Sequence, residues 1–106
     1  MRELTGYRHV FPVHQGRAAE RILFGVMVMP GQSVPNNAHF DTTRANVEHL
    51  GAAAVDFVAP AAKDLRDETP WKGDIDVDRL AAWLDAQPKG SVPLGLLTIT
   101  NNTVGG

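Results

Sequence analysis

The sequence predicts a three-layer α/β fold built on a mainly parallel sheet of about four strands. Three observations lead there. Short apolar runs alternate with segments whose apolar residues recur at helical spacing. The helix-sized segments act as crossovers, and crossovers give parallel neighbours. Polar clusters follow three of the predicted strands, where open parallel sheets gather their ligands.

Val10 to Val13, with Phe11 and Pro12 between, reads as a short buried strand. Arg17 to Met29 reads as a helix, because Ala19, Ile22, Leu23, Val26 and Met27 follow the i, i+3, i+4, i+7, i+8 rule. Pro30-Gly31 ends it. Ser33 to Asn36 is a weak second strand. Thr42 to Leu50 reads as a second helix, capped by Asp41 or Thr42 and closed by Gly51. Ala53 to Val58 is the next strand, and Lys63 to Gly73 a charged loop containing Pro70 and Trp71. Asp74 or Asp76 caps a third helix, with Val77, Leu80, Ala81 and Leu84 on one face. Gln87-Pro88-Lys89-Gly90 is a turn. Leu94 to Thr100 is apolar enough for a central strand.

Composition narrows the function classes. With 106 residues the chain holds one small domain. A net charge of −2 and the lack of a Lys/Arg run argue against nucleic-acid binding, which needs a basic face. Without cysteine there is no disulfide, no thiolate nucleophile and no Cys-based zinc site. The start Met1-Arg2-Glu3-Leu4-Thr5-Gly6 has no apolar signal core, and no apolar run is long enough to span a membrane. A cytoplasmic chain is therefore expected. No internal repeat or low-complexity tract interrupts it.

His14-Gln15-Gly16-Arg17 stands between the first predicted strand and the first long helix. A glycine there lets a ligand approach the backbone, and the helix start offers free N–H groups and the positive end of its dipole. Gln15 can donate to a phosphate oxygen, and Arg17 can add a charge-assisted bond. His39-Phe40-Asp41-Thr42-Thr43-Arg44 and Asn101-Asn102-Thr103 supply the other two clusters on the expected rim. His14, His39 and His49 with Asp41 match no metal-ligand spacing, so no metal site is expected. His9 reads as a surface residue.

Four collinear segments carry a family resemblance. They are Phe11-Pro12-Val13-His14-Gln15-Gly16-Arg17-Ala18-Ala19-Glu20, Phe40-Asp41-Thr42-Thr43-Arg44, Lys72-Gly73-Asp74-Ile75-Asp76, and Thr98-Ile99-Thr100-Asn101-Asn102-Thr103-Val104-Gly105-Gly106. The chain resembles the aromatic amino acid β-eliminating lyases, the tryptophanase and tyrosine phenol-lyase family. These are pyridoxal 5′-phosphate (PLP) enzymes of the aspartate-aminotransferase type, fold type I. The resemblance implies that residues 1–106 are a fragment of the PLP-binding large domain. It implies that Gln15, Gly16 and Arg17 cradle the cofactor phosphate. Glu20 matches a glutamate near the phosphate-binding arginine, or is a solvent-facing helix residue. Phe40 matches the ring stacked on the pyridine of PLP, against the alternative of a core phenylalanine. Asn102 matches the asparagine bonded to the cofactor's 3-hydroxyl oxygen, or is a turn asparagine. Asp41 is the tryptophanase-like residue, where the tyrosine branch has Thr. It favours tryptophan over tyrosine modestly, as a general acid/base near the leaving indole, and it is also a good N-cap. Family members form homo-oligomers, act on aromatic amino acids and use a monovalent cation.

Parts of the family pattern lie beyond this sequence. The Schiff-base lysine and the aspartate that pairs with the pyridinium nitrogen lie downstream in the family, as does the arginine that binds the substrate carboxylate. Lys63, Lys72 and Lys89 match no Schiff-base position. Ala18 replaces a glycine common in relatives, and Asn101 and Val104 fall where relatives vary. The expectation is therefore a fragment, a truncated reading frame or one piece of a split enzyme, which needs the remaining fold and is inactive alone. The alternative is a non-enzymatic remnant or anion-binding module that kept the fold.

Overall fold

A computed structural model describes residues 2–64, 66–68 and 70–100. The order is a single turn α1 (Arg2–Thr5), α2 (Gly16–Met27), β1 (Ser33–Asn36), α3 (Asp41–Glu48), β2 (Ala53–Asp56), a 3-10 turn (Pro60–Lys63) and α4 (Val77–Asp85). β1 and β2 are parallel, pairing Ser33 with Ala53 and Asn36 with Asp56. α3 is the crossover between them, so β1–α3–β2 is the βαβ unit that the alternation predicts. No helix among the described residues is long and apolar enough to cross a membrane.

The sheet is smaller than expected. Among the described residues it has two strands rather than about four. Val10–Val13 forms no ladder; Val10 is half-buried and the rest is exposed, with Phe11 at 82%. Pro12 has no N–H to offer, and no strand among the described residues pairs with it. Leu94–Thr100 is not a strand: an extended stretch as far as Thr98 gives way to a bend, with Thr100 at φ +61°. It runs beside β1 in the same sense, through Ser33 N–H to Ser91 O (2.8 Å) and Leu96 N–H to Pro35 O (2.8 Å). Ser33 and Pro35 are the β1 residues that face it, and Pro35 can accept but not donate. A regular ladder therefore cannot form on that edge.

The helices match in place and differ in the face they bury. α2 stops at Met27, before Pro30-Gly31, because Val28 turns extended (φ −111°, ψ 130°) while its N–H still bonds Phe24 O. The expected apolar stripe is not the buried one: Ile22 is 62% and Val26 81% exposed, whereas Phe24 is 1%. Phe24 and Val28 pack with Val34, Val47 and Ala52, and Leu94 and Leu96 close over this core. α3 ends at Glu48 rather than at the expected Leu50, and Gly51 closes the turn that follows as expected, with φ +76° and its N–H donated to Glu48 O. Asp76, not Asp74, caps α4, accepting from Arg79 N–H at 3.1 Å. On α4 it is Trp83 that packs, meeting Phe57 at 5.2 Å between ring centroids. Val77 and Leu84 of the expected face are exposed. The Arg79 guanidinium also lies over the Phe57 ring, 4.9 Å from its centroid.

Candidate functional site

Polar side chains gather where β1, β2 and the extended segment end. Asn36 closes β1, and Asn36, Asn37 and His39 are all buried. A buried amide must find partners. Both asparagines do so on Thr98. The Thr98 N–H donates to Asn37 Oδ1 (2.8 Å) and Asn36 Oδ1 (3.2 Å). Asn36 Nδ2 donates to Thr98 Oγ1 (2.9 Å), and Asn37 Nδ2 to Thr98 O (2.9 Å) and Gly73 O (2.6 Å). Side chains thus replace the ladder that Pro35 interrupts, and they pin the end of the segment that leads toward Asn102. Neither asparagine stood out in the sequence; their position at the carboxyl end of a strand, Asn36 its last residue and Asn37 the next, is the signal that could have found them.

A second cluster holds the turn into α3. Asp56 Oδ1 accepts from the His39 backbone N–H (3.0 Å) and lies 2.6 Å from His39 Nδ1. Asp56 Oδ2 pairs with Arg44 at 2.5 Å, and Arg44 also donates to Ala54 O (3.0 Å) and Glu48 (3.2 Å). His39, expected only as part of a polar run, is therefore a buried partner of Asp56. His39 Nε2 has no partner among the described residues.

Glu20 joins α2 to α3. Its carboxylate accepts from Thr43 Oγ1 (2.7 Å) and Asn46 Nδ2 (3.2 Å). It is half-buried, and its partners are on α3 rather than at Arg17 among the described residues. This contact sets the start of α2 near the start of α3, since Glu20 lies one turn into the first and Thr43 in the first turn of the second.

Gln15 is the extended N-cap of α2 (φ −163°, ψ 157°); its carbonyl takes the Ala18 and Ala19 amides, and its side chain makes no capping bond. It follows a non-strand segment, so the strand–turn–helix expectation fails at its first member while the helix start remains. A Cβ on Gly16 would meet nothing within 4 Å, so the space over this turn is open. Arg17 is exposed. Phe40 is not a core residue: it is 49% exposed at the N-cap of α3. Asp41 is the first residue of α3, exposed, and makes no side-chain cap. Asn102 lies outside the described residues.

Phe40 lines a cavity of about 330 Å³ with Glu20, Thr43, Leu96 and Thr98. Gln15, Gly16 and Arg17 are not in its wall. A neighbouring cavity of about 430 Å³ shares Leu97 and Thr98 and runs past Asn37 and Trp71. Trp71 there holds φ +63°, an uncommon conformation for a bulky residue.

Comparison with known proteins bears on what this arrangement serves. A family model described as beta-eliminating lyase matches residues 1–106. The chain is 53% identical to a tryptophanase of Salinibacter ruber over 106 residues, covering 100% of this chain and 22% of that protein. It is 44% identical to a probable beta-eliminating lyase of Trichomonas vaginalis over 104 residues, 98% of this chain and 22% of that one. It is 41% identical to a tyrosine phenol-lyase of Pasteurella multocida over 106 residues, 100% of this chain and 23% of that protein. The chain thus spans less than a quarter of the length of these relatives. The whole-length match and the similarity to both named activities settle the lineage: this chain belongs to the beta-eliminating lyase family.

Proposed function

We propose that this chain is the cofactor-phosphate-binding portion of a PLP-dependent β-eliminating carbon–carbon lyase. Its substrate is an aromatic amino acid, tryptophan favoured over tyrosine, and its parent architecture the three-layer large domain of fold type I. The chain is not expected to be active alone. The observation that carries the reading is the open start of α2. The Gly16 and Arg17 amides have no partner among the described residues, and no atom crowds Gly16. Free amides, a helix dipole and a guanidinium are the donor set an anionic phosphate needs. The donor set therefore fits the group.

In this reading the Gly16 and Arg17 amides and the Gln15 side chain donate to phosphate oxygens, and Arg17 supplies the charge. Phe40 offers an exposed aromatic face, and Asn102 donates toward the 3-hydroxyl oxygen. Asp41 would serve as general acid/base near the leaving aromatic ring, and its match to the tryptophanase branch favours tryptophan as the substrate. PLP supplies the electron sink for the reaction. A second reading, an anion-binding module without chemistry, is favoured by the same open helix start, which suffices for phosphate alone. Titration of the chain with PLP, pyridoxal and inorganic phosphate separates the two. Our reading expects PLP to bind more tightly than either of the others. Equal affinity for PLP and inorganic phosphate would overturn it in favour of the module.

A further inference from the structure

We propose that Asp56 is a positioning residue for Phe40. The inference rests on the reading that Phe40 faces the cofactor ring, but the placement itself is a property of this chain. Phe40 sits at an N-cap that has no side-chain cap of its own (φ −70°, ψ 153°). Its hold on the backbone comes from either side. Just before it, the His39 N–H and Nδ1 both lie on Asp56 Oδ1. An oxygen that accepts from both requires the proton on Nδ1. Just after it, the Arg44 N–H bonds Phe40 O at 2.9 Å, closing the first turn of α3, while the Arg44 guanidinium takes Asp56 Oδ2. One carboxylate at the end of β2 thus fixes residues 39 and 44, and Phe40 lies between the two anchors.

The anchors are unequal in burial. The His39 side chain is fully buried, whereas Asp56 and Arg44 are about one-third exposed. Charge-assisted bonds of good geometry at such half-buried sites hold more firmly than exposed pairs. Arg44 is fixed again at Ala54 O, on the same strand as Asp56. The end of β2, through Asp56, and the first turn of α3 together set the backbone from which the Phe40 ring reaches its cavity.

The test is side-chain NMR on the whole 106-residue chain, with the phenylalanine rings labelled. The wild type is expected to show ring contacts from Phe40 to Leu96 and Thr43, which line the same cavity. Asp56→Ala is expected to lose most of these while the Phe24–Val47 core contacts persist. His39→Asn, whose amide can donate near the position of Nδ1, keeps the Phe40 contacts; His39→Leu loses them. Should Asp56→Ala also lose the core, Asp56→Asn is read in its place, because it keeps an acceptor for His39 and removes the charge facing Arg44. Phe40 contacts unchanged in whichever Asp56 variant retains the core overturn the proposal. The consequence for binding is read with pyridoxine 5′-phosphate. Asp56→Ala and Phe40→Leu should each weaken it roughly three- to tenfold, the worth of one stacked ring, and should leave inorganic phosphate alone. A wild-type chain that holds pyridoxine 5′-phosphate no better than inorganic phosphate defeats the cofactor reading, and the ring contacts then decide the role of Asp56 by themselves.

Discussion

A carboxylate that accepts two hydrogen bonds from a neighbouring helix fixes how the two helices meet. Glu20 does this with Thr43 and Asn46. Bonds to a charged acceptor contribute about 1.5–3 kcal/mol each. Glu20→Ala leaves the buried Thr43 and half-buried Asn46 donors unpaired and should destabilise the chain by about 1–3 kcal/mol, read as a lower urea midpoint. Glu20→Gln should cost less, because its carbonyl still serves Thr43 while its amide opposes the Asn46 amide. Equal midpoints for wild type and Glu20→Ala would show that packing alone sets the α2–α3 contact. Arg17 gives the opposite expectation. It is exposed, so Arg17→Gln should change stability by no more than about 0.5 kcal/mol. It should nevertheless weaken PLP binding by about tenfold or more, as loss of a charge-assisted bond implies. Affinity unaffected by this change would remove Arg17 from the phosphate site.

At the scale of elements, two glycines invite opposite predictions. Gly25 lies inside α2 with open space where a Cβ would stand. Gly25→Ala should stabilise by roughly 0.5–1 kcal/mol, the helix-propensity difference, seen as a raised melting midpoint. At Gly51 the φ is +76° and a Cβ would stand 3.3 Å from the Pro30 Cβ. Gly51→Ala should lower stability by roughly 1–2 kcal/mol in the same measurement. A destabilised Gly25→Ala or a neutral Gly51→Ala would contradict the turn assignments. These elements were legible from the sequence because their signals are local. Gly51 closes a helix, Asp76 caps one, and the periodic run of α2 makes it helical. What a face meets is not local. The α2 pattern holds two apolar stripes, and only tertiary packing selects Phe24 over Ile22 and Val26. Leu94–Thr100 has strand composition, yet its pairing depends on Pro35, about sixty residues earlier, which removes a donor. The candidate site divides the same way. The start of α2 follows from motif and spacing, whereas the N-cap of α3 falls at Phe40 rather than at the expected Asp41 or Thr42. The Asp56–His39–Arg44 cluster does not follow from motif and spacing, because it forms only when β2 lies against β1.

The whole molecule is more open than a compact domain of its mass. A compact monomer of 11.5 kDa exposes about 5,800 Å² by the usual scaling, whereas this chain exposes 7717 Å². Its radius of gyration is 15.3 Å, against about 13 Å for a compact chain of this length. Much of the excess is apolar: Phe11 is 82% exposed, Val26 81%, Met29 67% and Ile22 62%. Ile22, Val26 and Met29 belong to or adjoin one helix, and such a stripe drives association when nothing covers it. The extended segment beside β1 also leaves most of that strand edge without a regular ladder. We therefore expect the chain alone to be marginally folded or to self-associate. In light scattering after size-exclusion chromatography, its mass should exceed 11.5 kDa at tens of micromolar, and its melt should be broad. Ile22→Ser with Val26→Ser should shift the population toward monomer without loss of helix, because both side chains are exposed in the folded chain. Co-expression with the remaining portion of a tryptophanase-type family member should restore a cooperative melt, and indole release from tryptophan should appear only in that combination. A sharp melt from a clean monomer of the chain alone would establish a self-sufficient domain. It would also move the balance to the anion-binding module, since a domain that needs no cover has no structural reason to await the rest of an enzyme.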